Sequence, residues 1–487
     1  MRDVNTVVLV TSDTLRYDKF HRHETDVWCP FLCKLADRGI DFRNYYASGP
    51  GTSSAFPGIL ASAYPMDHGY RGLNDSHEPL AQRLSEQGVR TVGITASSHA
   101  SSLFNYDRGF DVFYDNPSYR RDAPNRESLP TTDAVKSRLF DAVGAIPMVK
   151  TVGAKGFDLV DSLRDNDAAS CPYERAETMT SQAIDILETE AHNHPDSKTF
   201  VWIHYMEPHA PYYPPYRIIN QFDTADFSKE FVNNLWDRWN DARPPMWENE
   251  DNSNIFTDRE RRALELFYRI QVKFLDEQVE RLYERIKSLW GFDETAFIFT
   301  SDHGEEFFDH GDLGHRAKVY DELVHVPFFC YSNKIEPHVA EKPANHVDLA
   351  PTITELLGRE PTSGWQGQSL LPLLQGEVDD WEREYVVSEI CHRSGYGGEV
   401  DTDEAVLSII TDQWKYIRNN QIELEELYRH GSQEIPANNR VDDDPEIDKM
   451  RKLADERLSA VSDQEVERQE MSDDLRDQLH QLGYIDE

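Results

Sequence analysis

The stretch that decides the fold is Val7-Val8-Leu9-Val10-Thr11-Ser12-Asp13. Apolar, mostly β-branched residues run without alternation into a polar end. A strand with one wet face would alternate, so this run predicts a strand covered on both faces, as in parallel sheets. Thr91–Thr95, Phe200–Ile203, Ala296–Phe299 and Val326–Tyr331 read as further strands. Between them lie helical segments at Pro30–Ala36, Pro79–Gln87, Glu174–Thr189 and Arg259–Leu289. Strand alternating with helix predicts an α/β fold: a doubly wound, mostly parallel central sheet flanked by helices.

Two regions break the rhythm. Pro117–Ala169 is rich in Arg, Asp and Pro, and Tyr212–Thr257 in Asn, Asp, Trp and Pro. Both read as insertions over the edge or mouth of the sheet, where specificity loops sit. A catalytic domain is expected over 1–375 and a smaller C-terminal α+β subdomain over 376–487. Tyr385–Val387, Ala405–Ile410 and Trp414–Arg418 suggest an antiparallel sheet in the latter. Asp444–Leu458 and Asp463–Leu482 suggest charged helices, each opened by a capping Asp.

With 39% hydrophobic and 11% aromatic residues, disorder is excluded for most of the 487-residue chain. No apolar run approaches the roughly 20 residues that cross a bilayer. No leader precedes the first strand, so the expected location is the cytoplasm. Eighty-nine acidic against 50 basic residues give a net charge of −39, which disfavours nucleic acid and anionic membranes as partners. A carboxylate-covered surface of halophilic type is the expected reading, because concentrated salt screens such self-repulsion. Cys29, Cys33, Cys171, Cys330 and Cys391 form no CxxC pair and read as core thiols.

Acids and imidazoles gather at predicted strand ends, where open α/β sheets bind ligands. Asp13 ends the first strand. Asp302 and His303 end another, with His310 and His315 in the same loop; His204, Glu207 and His209 follow a third. Oxygen and imidazole donors suit a divalent cation of the Mn, Zn, Ca or Mg type. Gly49-Pro50-Gly51-Thr52-Ser53-Ser54 leads into a helix start, a seat for a tetrahedral anion. A hydroxyl there is either a nucleophile or an N-cap, and spacing alone leaves both open. His21, His23, His68, His192 and His194 lie in polar stretches and read as solvent-facing, while His99 is a minor pocket candidate. The Tyr212–Tyr216 cluster reads as loop packing.

Motifs in order along nearly the whole chain resemble the sulfatase-like branch of the alkaline phosphatase superfamily. They are Val10–Asp18, Asp107–Phe113, His204–Pro211, Thr300–Gly311, His315–Pro327, Val347–Thr352, Gly364–Leu374 and Trp414–Tyr428. The resemblance implies Asp13, Thr52, Asp302 and His303 around a metal. It further implies His209 at the leaving oxygen, His315 in the same pocket, and Arg316 where the family places a cation. Aligning Gly49–Ser62 without gaps puts Thr52 on the nucleophile, with Ser53 and Ser54 close enough to compete.

Three departures matter. Thr52 cannot become the formylglycine of true sulfatases, because its β-carbon bears a methyl. Ser54 and Phe56 stand where the family has Pro and Arg, and Thr14 replaces a second acidic ligand. The expected function is therefore metal-dependent hydrolysis or transfer of a phosphate or sulfate ester through a covalent Thr intermediate, with phosphoryl esters and diesters preferred. Its substrate would be a small-molecule or glycan ester. The alternatives are an arylsulfatase without formylglycine and a non-catalytic binding protein on the same fold.

Overall fold

The computed structural model describes residues 4–20, 28–68, 72–115, 173–224, 226–242, 255–391, 400–442 and 444–462. The expected Pro117–Ala169 insertion, the Asp463–Leu482 helix, His21, His23 and Cys171 lie outside them. Among the described residues, no helix is long and apolar enough to cross a membrane.

Eight strands form the central sheet: β1 (Thr6–Ser12), β2 (Ile40–Phe42), β3 (Arg90–Thr95), β4 (Val112–Tyr114), β5 (Thr199–Tyr205), β6 (Thr295–Ser301), β7 (Phe328–Tyr331) and β8 (His338–Ala340). Their order is β8-β2-β7-β6-β1-β5-β3-β4. β7 is antiparallel to both its neighbours, and every other pair is parallel. β1 lies between β5 and β6, as a strand covered on both faces should. Val7 and Leu9 join one core, with Phe56, Ile59 and Leu60; Val8 and Val10 join the opposite core, with the helices Ala176–Asn193 and Asp258–Leu289. Each of these four side chains is fully buried, contributing about 1.5–3 kcal/mol.

The Asp258–Leu289 helix opens with a capping box. Thr257 accepts the Glu260 amide, and Glu260 accepts the amide of Thr257 at 2.8 Å. The described part of the 212–257 region carries the helices Tyr216–Ile219 and Lys229–Ala242, which its composition did not suggest. Tyr212 is fully buried among Trp236, Tyr268 and Phe307, so it is a packing residue.

A second sheet of consecutive antiparallel strands follows: β9 (Val386–Cys391), β10 (Ala405–Ile410), β11 (Trp414–Asn419) and β12 (Leu424–Arg429). Its buried residues are continuous with the Val7/Leu9 core, to which the helix Ile447–Ser462 adds Met450, Ala454 and Leu458. That helix starts three residues later than expected; Asp444 precedes it and accepts the Glu446 amide at 3.1 Å. Charged contacts reinforce the join. Arg457 pairs with Glu389 at 2.6 Å and Asp67 at 2.9 Å, all three buried.

Two expectations need correction. His68 is buried rather than solvent-facing, because the short helix Pro65–His68 lies inside the core. His310 turns away from the strand-end cluster: its ring meets Glu322 and the Glu434 carbonyl, both at 2.6 Å, and stacks on Tyr320. Burial opposes its charge, but Glu322 more than offsets that and raises its pKa to about 9. Cys29 and Cys33 are buried thiols, as expected, with their sulfurs 3.6 Å apart.

Replacing Arg457 by Met leaves two buried carboxylates without their partner. Chemical denaturation is expected to show a loss of about 3–5 kcal/mol, with Arg457→Lys recovering only part because an ammonium lacks the forked geometry.

Candidate active site

Parallel neighbours deliver their C-terminal ends to one edge, about 4.8 Å apart. β5, β1 and β6 are consecutive in the sheet, so the residues leaving them must meet. The Asp13 amide bonds to the Tyr205 carbonyl at 2.9 Å, and the Asp302 amide to the Ser12 carbonyl at 3.0 Å. Thr14 then turns back with φ +62°, a left-handed conformation costing a β-branched residue about 1–3 kcal/mol. The turn aims its N–H at Asp302 Oδ1, 3.2 Å away; the His303 amide donates to the same oxygen at 2.8 Å.

The side chains converge. His303 Nε2 lies 3.5 Å from Asp13 Oδ1, 3.6 Å from Asp302 Oδ2 and 3.3 Å from Thr52 Oγ1. The His303 Nδ1–H donates to the Gly304 carbonyl at 2.8 Å, leaving the Nε2 lone pair facing the cluster. Thr52 is the first residue of the helix Thr52–Ala61, whose N-cap is Gly51. Ser54 is turned back onto Gly51, accepting its amide at 3.1 Å, so that hydroxyl serves the helix start. Thr52 thus sits beside His303 and Asp302, in the cluster where the resemblance put it.

Sequence reasoning noted His204 near a strand end but gave it no ligand role. It is the sixth residue of β5, opposite Thr11 of β1, and its Nε2 lies 3.8 Å from Asp13 Oδ2. One ligand atom from each of Asp13, His204 and Asp302 lies within 4.8 Å of the other two, and all three residues are buried. Arg16 was given no role either. It is buried, chelates Asp18 and Asp309, and donates to the Glu305 carbonyl at 3.1 Å, clamping the loop after β1 to the loop after β6.

His209 and His315 line the adjoining space, with ring centroids 5.2 Å apart; His315 is 4.5 Å from the His303 ring. The His209 Nδ1 meets the Ala210 carbonyl. His315 Nδ1 donates to buried Glu305 Oε1 at 3.1 Å. Arg316 is buried, paired with Asp312 at 2.6 Å and set over the Trp239 ring, which ties the His315 loop to the 212–257 region. His99 is half-buried and stacks on Phe104.

Electrostatics identify what this cluster is suited to hold. Burial opposes the charge of Asp13, but neighbouring imidazoles, His209 foremost, hold its carboxyl well below the usual range. Burial and the Asp13 charge push Asp302 well up, and burial keeps His303 neutral. Asp13 Oδ1, Asp302 Oδ2 and His204 Nε2 are buried without a hydrogen-bond partner. Two carboxylates and imidazole lone pairs aimed at one point repel each other, and a divalent cation resolves that repulsion. The donor set therefore fits a metal ion.

Metal-free protein is expected to gain stability on adding such an ion, by about 2.7 kcal/mol at a hundredfold excess over Kd. Asp302→Asn should stabilise the metal-free protein relative to wild type and abolish the metal-induced rise in Tm, both read by differential scanning calorimetry.

Comparison with known proteins finds similar sequences and structures over most of the chain. The Sulfatase family model matches residues 5–359, and the model for the N-sulphoglucosamine sulphohydrolase C-terminal region matches 308–464. An arylsulfatase of Clostridium perfringens is 22% identical over 405 residues, covering 79% of this chain and 81% of its own. The uncharacterized sulfatase YidJ of Escherichia coli is 26% identical over 439 residues, covering 86% and 80%. Among solved structures, phosphonate monoester hydrolase SpPMH from Silicibacter pomeroyi superposes with a TM-score of 0.63 at 21% identity. That match covers 94% of this chain and 95% of the other, and shows a shared fold.

Proposed function

The chain belongs to the sulfatase family, and from that premise we propose a metal-dependent ester hydrolase or transferase that uses Thr52 as its nucleophile and prefers phosphoryl or phosphonyl esters. The observation that carries this reading is the Thr52 hydroxyl, 3.3 Å from His303 Nε2 and beside the buried Asp302 carboxylate. Asp13, Asp302 and His303 would hold the cation, with His204 within reach. The cation supplies Lewis-acid charge that lowers the pKa of the nucleophile and neutralises charge on the transferred group.

The chain's own residues do the rest. The first turn of the Thr52–Ala61 helix offers N–H groups and a positive dipole end to a tetrahedral anion. Having lost its hydroxyl proton to solvent beforehand, Thr52 attacks in line as the oxyanion and later leaves as the oxyanion; the bond from its oxygen to the central atom forms as the bond to the alcohol oxygen breaks. That departing oxygen takes a proton from His209. Water then displaces Thr52 from the ester, and an imidazole accepts the proton water gives up. Glu305 holds His315 by Nδ1 and so keeps its Nε2 directed to the pocket. Arg316, bound to Asp312, acts on this reading by fixing the His315 loop and by adding positive charge nearby.

Phosphorus is preferred because Thr52 cannot form a hydrated aldehyde, the group that lets formylglycine expel sulfate by elimination. A Thr ester must be cleaved by direct displacement, which suits phosphoryl and phosphonyl centres. A second reading, sulfate-ester hydrolysis without formylglycine, draws support from the family match. The net charge of −39 supports work in concentrated salt.

A nitrophenyl panel at molar KCl, with Mn or Zn added, separates the readings. Bis-nitrophenyl phosphate and nitrophenyl phenylphosphonate should be hydrolysed, and nitrophenyl sulfate at least about a hundredfold more slowly. Thr52→Ala should lower kcat by about a thousandfold or more. His209→Ala should lower it about a hundredfold, least for substrates with good leaving groups. Turnover left unchanged by Thr52→Ala would eliminate the covalent mechanism, and a preference for the sulfate ester would favour the second reading.

A further inference from the structure

We propose that His204 is an additional ligand of the cation, oriented by a hydrogen-bond hub at Thr11, and that the resulting two-imidazole donor set selects a transition metal of the Zn, Mn or Co class over Ca or Mg. This rests on the metal-dependent reading above and goes beyond it by naming a ligand, its positioning residue and the class of ion.

His204 is fully buried, and its two nitrogens meet different surroundings. Nε2 faces Asp13 and has no hydrogen-bond partner. Nδ1 lies 3.0 Å from Thr11 Oγ1. That hydroxyl also accepts the Trp202 Nε1–H at 3.1 Å and faces the Ile203 carbonyl at 3.4 Å. A hydroxyl has one proton and two acceptor positions. The Trp202 N–H fills one acceptor position, since an indole nitrogen can only donate. If the proton goes to the Ile203 carbonyl, the remaining position takes a proton from His204 Nδ1 and every group is satisfied. Nε2 is then a bare lone pair aimed at two carboxylates, the state in which an imidazole binds a metal. The opposite tautomer instead buries an Nε2–H that is 3.8 Å from Asp13, beyond hydrogen-bond reach.

Packing holds the ring in that direction. Trp202 lies nearly parallel to it, with centroids 6.3 Å apart. Phe56 meets it at 83° and 4.8 Å. Phe56 thereby walls the site with an apolar edge, and a guanidinium at that position would compete for the same carboxylates. Thr14 offers no carboxylate of its own. The donors around Asp13 are thus two carboxylates, one hydroxyl and two imidazoles, with His204 on the side of Asp13 Oδ2 and His303 on the side of Oδ1. Hard Ca and Mg ions take oxygen-rich shells, whereas imidazole nitrogen favours the later divalent metals.

Titration of the metal-stripped full chain with Zn, Co, Mn, Ca and Mg, each alone, tests this. Calorimetry and the Co absorption spectrum provide the readout. Wild type should bind Zn and Co at least about a hundredfold tighter than Ca. His204→Gln should weaken Zn and Co binding by about 10–100-fold while leaving Ca binding nearly unchanged. Thr11→Val should weaken Zn and Co binding by about tenfold, and Thr11→Ser should restore it. Histidine-selective nitrogen NMR of wild type with Zn needs no variant and covers the case in which His204→Gln does not fold. Two cluster imidazoles should show metal-bound Nε2 signals. A single bound imidazole, or unchanged Zn and Co affinity in His204→Gln, would overturn the inference. Wild type that binds none of the five ions would instead remove the metal-dependent reading beneath it.

Discussion

The site depends on one electrostatic constraint: Asp13 and Asp302 are brought side by side, buried, at the ends of neighbouring parallel strands. A buried carboxylate is costly, and two close together oppose each other's ionisation. The surrounding structure answers only part of that cost. Asp302 receives two backbone amides on one oxygen, while its other oxygen and Asp13 Oδ1 have no hydrogen-bond partner. The left-handed Thr14, the Arg16 clamp and the neutral His303 all maintain this arrangement. Strain and desolvation of this kind are retained where a ligand repays them.

This constraint also explains the shape around it. β1 must be covered on both faces to exclude water from its end, and the two cores do that with helices on one face and with the Thr52 helix and the second sheet on the other. The second sheet is therefore more than an appendage. Its strand β9 supplies Glu389 to the buried Arg457 and Asp67 group, and its carbonyls and side chains flank the segment that leads into Thr52. A Cβ on Gly49 would lie 2.9 Å from the Glu389 carbonyl, so the approach to the nucleophile is set by backbone contact across this join.

Much of this was legible in the chain. The Val7–Val10 run, the alternation of strand and helix, and the antiparallel C-terminal pattern specified the architecture because burial on two faces or one leaves different periodicities. Asp13, Asp302 and His303 stood out because they sit where strands end, and the family resemblance grouped them with Thr52 at a helix start. His204 was noted at a strand end but given no ligand role, because only its register opposite Thr11 brings it to Asp13. His68 and His310 were misjudged for a related reason, since polar neighbours in sequence say little about which core a side chain enters. The helix Lys229–Ala242 was hidden by its Asn and Asp content; its apolar face is carried by Val232, Leu235, Trp236 and Trp239.

The most direct test is anomalous diffraction at the metal absorption edge from crystals grown with Mn or Zn and soaked in vanadate. The account predicts one strong anomalous peak bounded by Asp13, Asp302 and His303, with the Thr52 oxygen joined to vanadium beside it. A peak elsewhere, or vanadium bound away from Thr52, would contradict it.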